Sequence, residues 1–200
     1  MKYCYVFIFF FLTVFSVYAQ VRLPKLIADN MVLQRDQPIK IWGWASPKEK
    51  IALFFNKKTY KIATNDQGRW EIQLPAQSAG TGFEMKFKGK NEITLKNIAF
   101  GDVWLCSGQS NMVLPMERVK EKYPNDIANA QYPDIRNFFV QTLTDLQHPQ
   151  EDFPRGQWMA VNPKDILTFG AVSYFFARDI YEQYKVPIGI INSSVGGNTH

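Results

Sequence analysis

Cysteine is nearly missing from this chain. Two occur in 200 residues, Cys4 and Cys106. Only Cys106 lies outside the apolar N-terminal run, so the rest holds no disulfide framework, Cys/His zinc site or redox pair. Histidine is as scarce: His148 and His200 are the only two and stand far apart in sequence. That argues against a metal centre built on imidazoles. There is no concentrated run of Lys or Arg, and the formal charge of +5 is spread along the chain. Without a concentrated basic face, nucleic-acid binding is excluded. Internal repeats and low-complexity stretches are absent too. What remains must be held by an ordinary apolar core, and about 180 residues suffice for one or two small domains. Aromatic residues are plentiful, with five Trp, nine Tyr and sixteen Phe. They suit a β-rich core or a sugar-facing surface.

The first residues read as an export signal. Lys2 precedes the apolar run Tyr3 to Val17, and Val17-Tyr18-Ala19 places small residues before a cut after Ala19. The run is short of the ~20 apolar residues that a spanning helix requires. Residues 1–19 are therefore expected to be a cleaved signal peptide, leaving a secreted or periplasmic chain with no membrane anchor.

Two regions follow, each with its own period. From Pro38 to Leu95 apolar residues alternate: Ile39 and Ile41, then Ile51, Leu53 and Phe55, then Trp70, Ile72 and Leu74, then Phe83, Met85 and Phe87. Turn signals such as Asn65-Asp66-Gln67-Gly68 and Lys88-Gly89-Lys90-Asn91 separate the sets. Short strands at this spacing predict an antiparallel β-sandwich over residues 20–96, closing on itself ahead of Asn97. Beyond Ile98 the pattern changes. Phe100 to Cys106 is an apolar strand with little alternation, as expected when both faces are covered. Ile135 to Val140 looks like another. Val172, Phe175, Phe176, Ile180 and Tyr184 recur at helical spacing, ended by Lys185-Val186-Pro187, and Ile188 to Ile191 forms a buried strand. Strand, helix, strand is the start of a parallel α/β sheet over residues 97–200.

Where the first of those strands ends, the chain reads Ser107-Gly108-Gln109-Ser110-Asn111-Met112. In open α/β sheets ligands bind at the carboxyl ends of strands. A serine there could attack a carbonyl and use its own backbone N–H to hold the oxyanion. The glycine after the nucleophile in the G-x-S-x-G elbow is lacking. On the residues alone a second reading stands beside the first: Ser107 or Ser110 simply caps a helix.

"GDVWLCSGQSNM", Gly101 to Met112, resembles the first block of the SGNH hydrolases. More narrowly it is similar to the sialate O-acetylesterase and acetylxylan-esterase branch, in which Gly-Gln-Ser-Asn replaces Gly-Asp-Ser. "DNMVLQRDQPIKIWGWA", Asp29 to Ala45, resembles the opening of that branch's N-terminal β domain, and "VPIGIINSSVGG", Val186 to Gly197, its third block. The resemblance implies a flavodoxin-like α/β hydrolase domain, here incomplete, behind the β-sandwich. It makes Ser110 the nucleophile and its N–H one oxyanion donor. Gly170, in "FGAVSYFFAR", falls near the second block, and Gly197 and Asn198 fall at the third, as further parts of the oxyanion hole. Gln109 and Asn111 would shape the turn. The implied substrate is an acetylated sugar or glycan, and the chemistry needs neither metal nor cofactor.

The family's general base is a histidine in an Asp-x-His or Asp-x-x-His block near the C-terminus. Neither His148 nor His200 stands in that block, so the chain reads as the front part of an esterase, inactive alone. Two other readings remain. Trp42, Trp44 and Trp70 could present a glycan-binding surface, or the chain could be a structural fragment without catalysis. Nothing in the pattern sets an oligomeric state.

Overall fold

The computed structural model describes residues 20–197; the expected signal peptide, Asn198 and His200 lie outside the described residues. The alternating region forms strands β1 (Val32–Gln34), β2 (Ile39–Trp44), β3 (Lys50–Phe55), β4 (Lys58–Ala63), β5 (Arg69–Leu74) and β6 (Gly80–Lys88). Burial follows the alternation. In β2, Ile39, Ile41 and Gly43 are buried while Lys40 is exposed. Asn56 (φ 48°) and Lys57 (φ 60°) link β3 to β4 in a two-residue turn of the left-handed kind that matches strand twist. At the next corner the Asn65 side chain accepts from the backbone N–H of Gln67 (3.0 Å) and Arg69 (2.8 Å), and so starts β5.

Strands β2 and β5 pair with each other alone and pack over a larger sheet. Trp70 of β5 lies 5.6 Å from Phe87 of β6, and both are buried. Removing a side chain of this size from water contributes about 1.5–3 kcal/mol, so a few such contacts are comparable with a domain's net stability. Trp70 is thus core, and it cannot serve as a sugar platform. Trp44 is half-buried, with the Arg22 guanidinium 3.9 Å above its ring.

The larger sheet is organised by one long strand, β7 (Glu92–Cys106). Its first part pairs antiparallel with β6; its last part, Asp102 to Cys106, pairs parallel with β10 (Ile188–Asn192). The order is β4-β3-β6-β7-β10-β8-β9, with β8 at Tyr132–Phe139 and β9 at Trp158–Val161, while β1 pairs with β7 in parallel. The boundary expected near Asn97 therefore falls inside a continuous strand. The core crosses it as well: Phe138 and Trp158 pack in the same cluster as Trp70, Phe87 and Phe100.

Two expectations need correction. A flavodoxin-like sheet sets its first parallel strand between the second and the third. Here the last parallel strand among the described residues, β10, lies between β7 and β8. The end of β7 is also not covered on both faces: Trp104 is 43% and Leu105 69% exposed. Covering such a strand takes helices on both sides, and among the described residues α1 (Ser110–Val113) and α2 (Pro124–Ala128) are short and only α3 (Ala171–Tyr184) is long. Its buried face, Ala171, Tyr174 and Ala177, packs with Ile135, Ile188 and Ile190 in a second core. The helix ends at Lys185 (φ 54°), two residues before Pro187, which cannot continue it.

Candidate active site

The carboxyl ends of β7, β10 and β8 coincide, since Cys106, Asn192 and Phe139 are register partners. Ser110 stands just past this edge. It is exposed, and it is the first residue of a one-turn helix, α1 (Ser110–Val113). Gln109 is the capping residue, and no side chain caps the helix. That removes the capping reading for Ser110 and for Ser107. A first-turn N–H has no intrahelical acceptor, and the Ser110 N–H meets none among the described residues. The turn before it depends on Gly108, whose φ of 141° suits glycine and whose added Cβ would come 2.8 Å from Met112 Cγ.

Gly170 is fastened to the same turn. The Met116 N–H donates to the Phe169 carbonyl at 2.9 Å and the Ala171 N–H to the Leu114 carbonyl at 2.8 Å, so Pro115 and Gly170 lie side by side. A Cβ on Gly170 would come 2.7 Å from the Met112 carbonyl oxygen and 2.9 Å from Asn192 Nδ2. Only glycine permits this approach. The Gly170 N–H also meets no acceptor among the described residues.

The loop after β10 closes the third side. The Ser193 N–H donates to the Cys106 carbonyl (2.8 Å) and the Val195 N–H to the Gly108 carbonyl (3.0 Å). Gly196 lies against Val113, with an added Cβ 3.5 Å from Cγ1. Gly197 is exposed and touches nothing near its Cα. The structure thus brings together Ser110, Gly170 and the loop holding Gly197, with Gln109 and Asn111 exposed on either side of Ser110.

Reasoning from sequence missed Asn192. It is fully buried, and its Oδ1 accepts from both the N–H (3.0 Å) and the hydroxyl of Ser194. That is an Asx turn, and Asn-Ser-Ser after an apolar run was its available signal. Cys106 is no rival nucleophile. It is buried at the strand end, and burial pushes its thiol pKa up, away from the reactive thiolate. His148 lies on the exposed loop after β8, 4.0 Å from Asp145, and none of its described bonds reaches α1.

An exposed serine at the end of a parallel strand, beside two N–H groups without acceptors, frames the comparison with known proteins. No family model matches the chain. The sialate O-acetylesterases of Mus musculus and Homo sapiens are each 27% identical over 88% of this chain and over 36% and 37% of their own length. A carbohydrate acetylesterase from Xanthomonas citri superposes with a TM-score of 0.83 at 38% identity, covering 88% of this chain and 40% of that one. This chain is a homologue of the sialate O-acetylesterases. It spans well under half the length of those relatives.

Proposed function

We propose that the whole protein is a secreted carbohydrate O-acetylesterase with Ser110 as nucleophile. The observation that carries this is the convergence of Ser110, Gly170 and the Ser193–Gly196 loop at one strand edge, in a homologue of acetylesterases. The Ser110 hydroxyl attacks the acetyl carbonyl of an acylated sugar, and its proton passes to a general base. The Ser110 and Gly170 N–H groups then donate to the oxygen that gains the charge, and the loop bearing Gly197 closes the hole. Collapse releases the sugar hydroxyl, and water cleaves the acetyl-serine. No histidine among the described residues is placed to serve as the base, so it comes from elsewhere in the whole protein, as the family resemblance implies.

The test is Ser110→Ala in the whole protein, assayed on a chromogenic acetate and on an acetylated sugar. Turnover should be lost with the melting temperature nearly unchanged, because an exposed hydroxyl contributes little to the fold. A fully active variant would rule Ser110 out as the nucleophile.

A further inference from the structure

One polar side chain at the strand edge that carries Ser110 is left half-used. Asn192, the last residue of β10, is fully buried between its register partners Cys106 and Phe139. Its Oδ1 is committed, accepting from the Ser194 N–H at 3.0 Å and from the Ser194 hydroxyl. A backbone N–H can only donate, so this bond settles which way the amide faces. Nδ2 therefore points away from Ser194, and it meets no acceptor among the described residues. Buried donors without a partner are rare, and each needs a reason.

The surroundings of Gly170 supply one. A Cβ there would stand 2.9 Å from Asn192 Nδ2 and 2.7 Å from the Met112 carbonyl oxygen, so donor and carbonyl flank one point that only an α-hydrogen occupies. The Met112 carbonyl in turn receives no backbone N–H among the described residues. An unused donor and an unused acceptor thus lie beside each other at Gly170. The donor stands on β10, and the acceptor on α1, the helix that begins with Ser110. A third polar atom, Ser173 Oγ, would lie 3.0 Å from the same Cβ. Its hydroxyl already donates to the Gly170 carbonyl at 2.9 Å, which ties it to the first turn of α3 rather than to α1.

We infer that Asn192 is a positioning residue for acyl transfer: as the ester oxygen gains charge, Nδ2 donates to the Met112 carbonyl and so fixes α1, and Ser110 with it, against Gly170 and β10. The inference rests on the acetylesterase reading, in which the Ser110 and Gly170 N–H groups hold one oxygen. An oxygen shared by both draws α1 towards Gly170, and with only a hydrogen in the gap a small shift makes the bond. A bond absent from the free enzyme and formed as charge develops acts on kcat and little on KM. The amide then has two separable tasks: Oδ1 holds the loop after β10, and Nδ2 holds α1.

Two substitutions in the whole protein separate these tasks. Asn192→Asp keeps an oxygen for the Ser194 N–H and loses the donor. Asn192→Ser keeps a hydroxyl that can accept from the same N–H, adds no charge, and stops one bond short of Nδ2. On a chromogenic acetate both should lower kcat roughly tenfold or more and leave KM within about threefold, with circular dichroism like the parent. Should one of them fail to fold, the other decides. Ser173→Ala leaves Asn192 and Met112 in place and should keep kcat within about threefold. Parent kcat in a folded Asn192 variant would reduce the residue to its Asx turn and overturn the inference, as would a rise in KM at unchanged kcat. An equal loss in Ser173→Ala would move the acceptor to Ser173 and overturn it too. Ser110→Ala tells this inference from the reading beneath it. If that variant is dead while Asn192→Asp turns over like the parent, only the role of Asn192 falls. If Ser110→Ala stays fully active, the nucleophile assignment falls and takes that role with it.

Discussion

The buried guanidinium of Arg136 donates to the backbone carbonyl of Asn97, at the irregularity of β7 between its antiparallel pairs Leu95–Met85 and Ile98–Phe83. The same group reaches the Asn30 carbonyl at 3.0 Å and the Pro133 carbonyl at 3.2 Å. Asn30 (φ 63°) and Asn97 (φ 54°) are both left-handed, and their side chains bond to each other at 2.8 Å. One cation therefore joins three segments through carbonyl oxygens. Burial lowers its pKa from the usual arginine value, yet an arginine this basic stays charged.

Arg136→Met should accordingly cost about 3 kcal/mol, since it leaves several buried carbonyls without donors. Urea denaturation would show a lower midpoint. Arg136→Lys should recover little, because an ammonium lacks the fork that spans these oxygens.

Gly170→Ala should lower kcat roughly tenfold to a hundredfold, with a smaller change in KM. Its Cβ would press on the Met112 carbonyl oxygen and on Asn192 Nδ2, and so shift α1 and the Ser110 hydroxyl away from the bound ester. Steady-state kinetics and circular dichroism together check this. An active Gly170→Ala enzyme would mean that the turn tolerates the shift.

Ser107→Ala should be mild. Ser107 is exposed and makes no cap, so activity within about threefold of the parent is expected. A loss as large as that for Ser110→Ala would place the nucleophile three residues earlier.

The Tyr132 hydroxyl donates to Glu182 Oε1 at 2.8 Å, and this bond pushes the phenol pKa up to about 12. The folded state thus favours the neutral phenol. Its stabilising effect is complete below the ordinary tyrosine value of ~10 and is lost as pH rises from there towards 12. Ultraviolet titration should show this phenol ionising late in the parent, and Glu182→Gln should bring it back towards the ordinary value.

Residues 20–95 expressed alone should melt without cooperativity. The cut removes Ile98, Ala99 and Phe100, each fully buried, together with the half of β7 that β1 and β10 pair with. Calorimetry would decide, and a sharp transition would show that the β strands form an independent unit.

Some of this was legible in the residue pattern because it is local. Alternation with period two in Ile39–Trp44, Ile51–Phe55 and Arg69–Leu74 fixes which side chains face a core. Helical spacing from Val172 to Tyr184 does the same for α3. Short strands β1 and β9 carry too few residues for a period and were not predicted. Ser110 stood out because a small polar cluster after an apolar strand has no packing role.

Long-range pairing decided the rest. Nothing local places β10 between β7 and β8, because strand order depends on which faces bury most together. The same holds for Asn97, which reads as a hinge between two patterns and is in fact the middle of one strand held by a distant arginine. The sequence by itself determined which residues are apolar, where the chain turns, and that a serine follows the first parallel strand. Only the tertiary structure brought Gly170 and the Ser193–Gly196 loop to that serine. Hydrogen bonds between segments some 50 to 90 residues apart leave no period in the sequence between them.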